Sequence, residues 1–247
     1  MRRLLLAASL AVLATPARAE SPRWGSFQFS ISWYRPDIDS EFAGRTTSGG
    51  LPIAPYAASF GNSNQIMFQG VFSKSLWITQ VGTLDLGVGA GYWGVKGQGI
   101  QAADPTVKGD STSMGIVPIS LVATYRFDWF VESLKVPLAP YLRASLLDYV
   151  WWVNGGSGGT ASAITASGTL VKGSGSTFGY SFAAGLGLDL NFFDPKLARE
   201  FDNEVGVNHT MFYGEVSKSW VNDFGSSTSW DLSSVGVMWT IGLLFVF

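Results

Sequence analysis

The stretch Val235-Gly-Val-Met-Trp-Thr-Ile-Gly-Leu-Leu-Phe-Val-Phe247 decides the fold of this chain. Its apolar residues recur at every second position, so in a β-strand they all project from one face. The other face is smaller and more mixed. A strand of this kind at the edge of a water-soluble sheet would be an aggregation hazard. A closed barrel in a bilayer removes the hazard, because lipid covers the apolar face and the first strand pairs with the last.

Seven earlier stretches show the same alternation of apolar with small or polar residues. They predict strands at Trp24–Tyr34, Asn64–Ser73, Val81–Trp93, Gly115–Asp128, Pro140–Trp151, Thr177–Asn191 and Asn208–Ser219. Each is at or above the roughly 9–11 residues that a tilted strand needs to cross the hydrocarbon. A soluble sandwich would also alternate, but it would place charge rather than Gly and Ser on its outer face. The sequence therefore predicts an all-β, eight-stranded antiparallel up-and-down transmembrane β-barrel with long extracellular loops.

The connections between these strands alternate in length. Long connections rich in Gly, Ser, Thr, Asn and Asp occupy 35–63, 94–112, 152–176 and 220–234, and mostly shorter ones occupy 74–80, 129–139 and 192–207. This asymmetry is typical of extracellular loops and periplasmic turns. Aromatic residues at the strand ends predict interfacial girdles, at Trp33-Tyr34, Tyr92-Trp93, Trp129-Phe130, Tyr149 with Trp151-Trp152, and Phe192-Phe193.

One predicted periplasmic turn carries helix signals. In the segment 194–202, Asp194 suits the cap position and Pro195 the first turn, while Leu197 and Phe201 share a face at i, i+4. We expect a short helix that lies at the inner interface or closes the bottom of the barrel. A structural role is favoured over docking of a partner.

The N-terminal residues predict export. Arg2 and Arg3 precede an apolar run too short to span a bilayer, and Ala17-Arg18-Ala19 matches an A-x-A cleavage site, so residues 1–19 are interpreted as a cleaved signal peptide. An uncleaved membrane anchor is the alternative. Residues 20–247 then form a single outer-membrane β-barrel domain.

Composition narrows the function further. Removing three arginines with the signal lowers Lys+Arg from 16 to 13 against 18 acidic residues, so the net charge moves from −2 to −5. An acidic balance argues against nucleic acid as a partner. The absence of cysteine excludes disulfides and thiolate metal sites.

Five charged residues fall on the predicted inward face. They are predicted to form a lumenal polar network and are Asp85, Arg126, Arg143, Asp189 and Glu215. Buried charges must pair or be solvated, and an eight-stranded barrel is barely wide enough for its own side chains. This argues against an open porin. The inward glycines of the third and sixth strands leave the alternative of a cavity for an apolar ligand.

Two other features suggest chemistry only weakly. His209, the single histidine, would share an inward face with Glu215, but the His and Ser two positions apart used by lipid A deacylase barrels are absent because Met211 stands there. Asp37, Asp39 and Glu41 crowd just beyond the first strand. They suit either a divalent cation bridging to lipopolysaccharide or simple solvation.

Eight blocks of the sequence occur together. They are Trp24-Gly-Ser-Phe, Tyr34-Arg-Pro-Asp-Ile-Asp-Ser-Glu-Phe42, Ile116-Val-Pro-Ile-Ser-Leu, Tyr125-Arg-Phe-Asp-Trp129, Tyr149-Val-Trp-Trp-Val153, Phe201-Asp-Asn-Glu-Val-Gly-Val-Asn-His-Thr210, Val221-Asn-Asp-Phe-Gly225 and Ser229-Trp-Asp-Leu232. With these blocks the chain resembles a myxobacterial-type family of outer-membrane β-barrel proteins. The resemblance implies a barrel in the outer membrane and no assigned activity. More loosely, the chain is similar to small OmpA- and OmpW-type barrels.

We therefore expect an outer-membrane barrel with a structural, anchoring or surface-interaction role, a largely filled lumen and no enzymatic activity or cofactor. The alternatives are a narrow channel or binding barrel for small hydrophobic molecules and a lipid-modifying enzyme that uses His209. The expected partners are outer-membrane lipids, lipopolysaccharide and, during biogenesis, the barrel-assembly machinery; the protein is expected to be a monomer. Resemblance to outer-membrane barrels generally implies a C-terminal assembly signal at Trp239, Phe245 and Phe247.

Overall fold

A computed structural model describes residues 22–47, 49–101, 104, 106–164, 170–226 and 229–247. The predicted signal peptide at 1–19 lies outside this part of the chain. No helix among the described residues is both long and apolar enough to cross a bilayer.

Eight long strands close into an antiparallel barrel, which confirms the predicted fold class. They are β1 (Gly25–Tyr34), β2 (Gln65–Ile78), β3 (Thr83–Ile100), β4 (Lys108–Arg126), β5 (Leu138–Asn154), β8 (Ser174–Asp189), β9 (His209–Val221) and β10 (Met238–Val246), while β6 (Ser162–Ile164) and β7 (Leu170–Lys172) form a separate two-stranded sheet. Around the barrel the order is β1-β10-β9-β8-β5-β4-β3-β2. Every neighbouring pair except β1 and β10 is also consecutive among the barrel strands, which is the up-and-down arrangement. The small sheet lies in the connection between β5 and β8.

The two ends of the barrel differ. At the loop end lie the connections 35–64, 101–107, 155–173 and 222–237; at the terminal end lie the connections 79–82, 127–137 and 190–208, together with both chain ends. The predicted loop 94–112 is mostly strand, because β3 and β4 stay paired as far as Ile100 and Lys108. This extension of β3 and β4 is rich in Gly, Ser, Thr and Lys. The alternation of apolar residues that predicted the two strands therefore ends earlier in the sequence than the hydrogen bonds between them.

The outer wall carries a continuous apolar belt. Every barrel strand contributes a large side chain that is 41–62% exposed at mid-height, namely Phe29, Phe68, Val88, Leu121, Leu146, Phe182, Phe212 and Ile241. A water-soluble monomer does not tolerate an exposed apolar surface of this extent. Lipid is the solvent that fits it.

The first and last strands form the seam that closes the barrel. Residues 26–32 of β1 pair with residues 240–246 of β10. The backbone N–H of Trp24 donates to the Phe247 carbonyl at 2.7 Å, and the two rings stack with centroids 5.7 Å apart. The predicted closing neighbour is therefore confirmed. The last strand starts at Met238 rather than Val235, because Val235 donates its N–H to the Arg35 carbonyl across the loop end.

Short helices lie at both ends of the barrel. They are α1 (Pro55–Phe60), α2 (Trp129–Glu132) and α3 (Pro195–Val205), with 3₁₀ turns at Ile38–Phe42 and Leu190–Phe192. Helix α3 confirms the prediction for 194–202: the Asp194 carboxylate accepts from the N–H groups of Lys196 and Leu197, and Gly206 ends the helix at φ 74°. Leu197 and Phe201 on its apolar side are exposed at the terminal end.

Candidate functional site: the barrel interior and the loop end

The middle of the barrel is crossed by an ion pair. Arg143 lies 2.8 Å from Glu215, and the Tyr141 hydroxyl donates to the same carboxylate at 3.0 Å. Arg143 also donates to Gln28 and, at 3.3 Å, to the Thr124 hydroxyl. Strands β1, β4, β5 and β9 thus all contribute side chains to this hydrogen-bonded group. An ion pair with these additional partners is the arrangement that a buried charge requires.

A second charged group closes the terminal end beneath α2. Arg126 donates to Asp128 at 2.6 Å and lies 3.4 Å from Asp85, while Ser75 donates to Asp85 at 2.7 Å. Arg23, which precedes β1, lies 3.6 Å from Asp128. Each charged group therefore has an opposite charge within contact distance.

The third charged group pairs Asp189 with His209 at a separation of 2.9 Å. The backbone N–H of Asn191 also donates to Asp189, at 3.0 Å. The five predicted lumenal residues are thus distributed over three groups instead of one network. Sequence reasoning placed His209 on one inward face with Glu215, too far along the strand for contact, and did not find Asp189 as its partner. The contact between His209 and Asp189 follows from the β8–β9 register, which pairs Asp189 with Met211.

Two inward glycines receive aromatic rings. A Cβ added at Gly185 would lie 2.3 Å from Cζ of Tyr141, and one at Gly242 would lie 2.8 Å from Cζ of Tyr213. The two tyrosine rings meet edge to face, with centroids 5.9 Å apart. In the third predicted strand, a Cβ at Gly89 would lie 2.5 Å from Oγ of Ser120. These glycines therefore make room for the protein's own side chains, and the alternative of a ligand cavity above them is not supported.

An aromatic plug fills the interior at the loop end. Tyr34, Trp93 and Tyr149 are at most 1% exposed, and the ring of Tyr34 meets the other two edge to face at 5.5 and 6.0 Å. The Tyr34 hydroxyl donates to the carbonyl of Leu232, a fully buried residue of the β9–β10 loop, at 2.5 Å. Assigning these three rings to an interfacial girdle is therefore wrong.

Their sequence neighbours behave as the girdle prediction expected. Trp33 is 39% exposed and Tyr92 is 54% exposed on the outer wall. In the pairs Trp33-Tyr34 and Tyr92-Trp93, strand alternation sends one residue outward and the other inward, since successive side chains point to opposite faces.

Little free space remains between the plug and the Arg143–Glu215 pair. The cavity there measures about 50 Å³ and is bordered by serine side chains of several strands. This volume holds one or two waters, at about 30 Å³ each.

The acidic residues beyond β1 organise the loops. Both carboxylate oxygens of Asp39 accept backbone N–H groups of α1, from Tyr56 at 2.8 Å and Ala57 at 2.9 Å. Glu41 accepts the N–H of Asp231, and partial burial raises the pKa of its carboxyl and of that of Asp37. No three carboxylate or imidazole groups converge as metal ligands within the described ranges.

A pocket of about 330 Å³ opens at the terminal end beside Asp189 and His209. Helix α3 and the β4–β5 connection form its other walls, with Arg199 and Lys135 among the lining residues. The described lining includes no Ser or Thr hydroxyl.

Fold and interior together define a closed eight-stranded β-barrel with an apolar outer wall and a filled lumen. No family model matches the chain, and no curated protein has a significantly similar sequence. The resemblance to the myxobacterial-type family stays a prediction.

Solved structures of outer-membrane barrels are similar in fold. The N-terminal β-barrel domain of Pseudomonas aeruginosa OprF is 13% identical, with 90% of this chain and 99% of that chain covered and a TM-score of 0.40. The attachment invasion locus protein Ail of Yersinia pestis is 10% identical, with 93% and 100% covered and a TM-score of 0.39. At these identities no role is carried over from either protein.

Proposed function

We propose that this chain is an outer-membrane protein whose barrel is a non-conducting anchor, with its loop end at the cell surface in a structural or surface-interaction role. The filled interior carries the proposal: an aromatic plug, a buried ion pair and a charged cluster at the terminal end follow one another along the lumen. A barrel built for transport would need a continuous wet or apolar path. The side chains of this barrel occupy that space themselves.

The orientation follows from the two ends. The shorter connections at the terminal end suit the periplasm, and the larger, packed loop end suits the outside. In this placement lipids contact the apolar belt, and lipopolysaccharide surrounds the rim near Trp33 and Tyr92. The proposal includes a monomer, because eight strands already close the sheet and leave no free edge.

The conductance test is direct. Liposomes that contain the purified protein are expected to show no swelling in small sugars and no single-channel current, because the lumen is blocked in layers. The triple variant Tyr34→Ala, Trp93→Ala and Tyr149→Ala removes the plug and is expected to stay non-conducting, because the Arg143–Glu215 pair remains. Adding Arg143→Ala to this variant is expected to give a measurable, flickering current. Steady current through the unaltered protein would overturn the proposal, whereas Tyr92→Ala on the outer wall serves as the silent control.

A role of the last residues in assembly is a separate part of the proposal. The Phe247→Ala variant is expected to lower the amount of folded protein in the outer membrane several-fold, as measured by heat-modifiable gel mobility. The matched control is Phe212→Ala, which removes a lipid-facing ring, 45% exposed, from β9.

Refolding of Phe247→Ala from urea into detergent distinguishes two causes. If refolding in vitro proceeds normally while the level in cells falls, the residue acts through the assembly machinery. If both fail equally, its stacking on Trp24 at the seam accounts for the effect, and the assembly signal is contradicted.

A further inference from the structure

An apolar cavity of about 260 Å³ lies at the loop end, outside the barrel lumen. The 3₁₀ turn Ile38–Phe42, helix α1, the β3–β4 extension and the β9–β10 loop enclose it. Its lining is mostly hydrophobic and includes four aromatic side chains, Phe42, Tyr56, Phe60 and Trp230. None of the predicted site residues lies here, and the anchor role proposed above does not use it.

The walls of this cavity are held firmly. Helix α1 is fixed at its start by Asp39 and at its middle by Lys108, whose ammonium donates to the Ala58 carbonyl. The helix approaches β3 so closely that a Cβ at Gly97 would lie 2.1 Å from the Ser59 carbonyl oxygen. On the opposite side Trp230 is stacked on Trp151, with centroids 4.3 Å apart and an interplanar angle of 12°. Collapse of the walls into the space is therefore opposed on both sides.

One polar atom in the cavity wall has no partner. Tyr56 is 3% exposed, and its hydroxyl makes no hydrogen bond to any described residue. Burial raises the pKa of this phenol, which keeps it protonated as a donor. A buried hydroxyl without a partner costs free energy, and a bound group that accepts its hydrogen bond recovers that cost.

The size and lining define the class of ligand. An apolar cavity of about 150 Å³ holds one benzene, so in proportion this one holds about ten non-hydrogen atoms. Aromatic walls favour stacked or edge-to-face contacts with a planar ring. We infer that the loop end binds a small, flat, apolar aromatic molecule of one or two rings with a single oxygen, which accepts a hydrogen bond from the Tyr56 hydroxyl.

The experiment uses the full-length protein in lipid nanodiscs and fluorine NMR. The probes are a fluorinated naphthol and the matching fluorinated naphthalene, which lacks the oxygen, and empty nanodiscs measure partition into lipid. Saturable binding is expected for the unaltered protein, with a preference for naphthol of about three- to tenfold, the value of one net hydrogen bond.

Two variants and a matched control locate the site. Gly99→Leu fills the cavity and is expected to reduce affinity for both probes more than tenfold. Gly109→Leu makes the same change on the paired strand, away from the cavity, and is expected to bind normally. Tyr56→Phe is expected to fold normally and to bind both probes equally.

The inference is overturned if binding in the protein nanodiscs is no more saturable than in empty ones, or if Gly99→Leu binds as the unaltered protein does. A naphthol preference that survives Tyr56→Phe overturns the hydrogen bond. If Gly99→Leu shows no heat-modifiable mobility, Ser59→Leu fills the same space from α1 and is judged by the same criteria. The conductance of the barrel does not enter any of these outcomes, so they are independent of the anchor proposal.

Discussion

The Arg143→Met variant is expected to lose about 3–5 kcal/mol of unfolding free energy, because it leaves the Glu215 carboxylate buried without its counter-charge. The side chains of Arg143 and Glu215 are only 11% and 6% exposed, so bulk water does not solvate the carboxylate that is left unpaired. Tyr141 alone then remains as a hydrogen-bond donor to that carboxylate. Urea unfolding in lipid vesicles, followed by tryptophan fluorescence, measures the change.

Two further variants separate charge from packing. Arg199→Met makes the same substitution at an exposed position of α3 and is expected to change stability by less than about 0.5 kcal/mol. The double variant Arg143→Met, Glu215→Leu removes both charges and is expected to recover most of the loss. If the single variant is as stable as the unaltered protein, the central ion pair does not support the barrel.

The Leu121→Arg variant is expected to destabilise the barrel by about 2–4 kcal/mol, because it places a charge in the middle of the lipid-facing wall. Leu121 is 47% exposed and pairs with Val88 and Leu146, which also face outward. The matched control is Val81→Arg, at a residue 54% exposed in the turn of the terminal end. Its expected cost is about 0–1 kcal/mol, as for charges near the interface.

The comparison tests the surroundings of the barrel as well as its shape. In water the two exposed positions would respond alike, and both changes would be small. Equal effects in the vesicle assay would therefore contradict the assignment of the apolar belt to lipid. A difference of more than about 2 kcal/mol supports it.

The positions of the strands and their faces follow from sequence because lipid and lumen impose opposite demands on neighbouring residues. Whether a position is odd or even along its strand is enough to predict that Leu121 faces outward and Arg126 inward. The closing pair β1–β10 follows from an even number of strands. The same alternation along the strand predicts that Tyr92 faces outward and Trp93 inward. Assigning both to a girdle ignored that signal.

Contacts between the loops at the loop end have no comparable pattern in the sequence from which they could be predicted. The bond from Tyr34 to Leu232 joins residues 198 positions apart, and nothing local marks either as a partner. The pairing of Asp189 with His209 depends on register, which alternation fixes only to within steps of two residues. The β6–β7 hairpin is too short for alternation to reveal it. The cavity beside Tyr56 depends on several such loop contacts at once, so sequence offered no route to it.

The seam between β1 and β10 also constrains the order of folding. Ser32 and Thr240 share a hydrogen bond across this seam although 208 residues separate them along the chain. All other pairings can form between segments that follow one another, but this one must wait until β10 is available and must bear the largest loop-closure entropy. Until then the edges of β1 and β10 both expose unpaired backbone groups that hydrocarbon cannot satisfy. Ring closure therefore joins the two most distant strands of this topology, and a chaperoning template at those two edges would act on the pairing with the highest entropic cost.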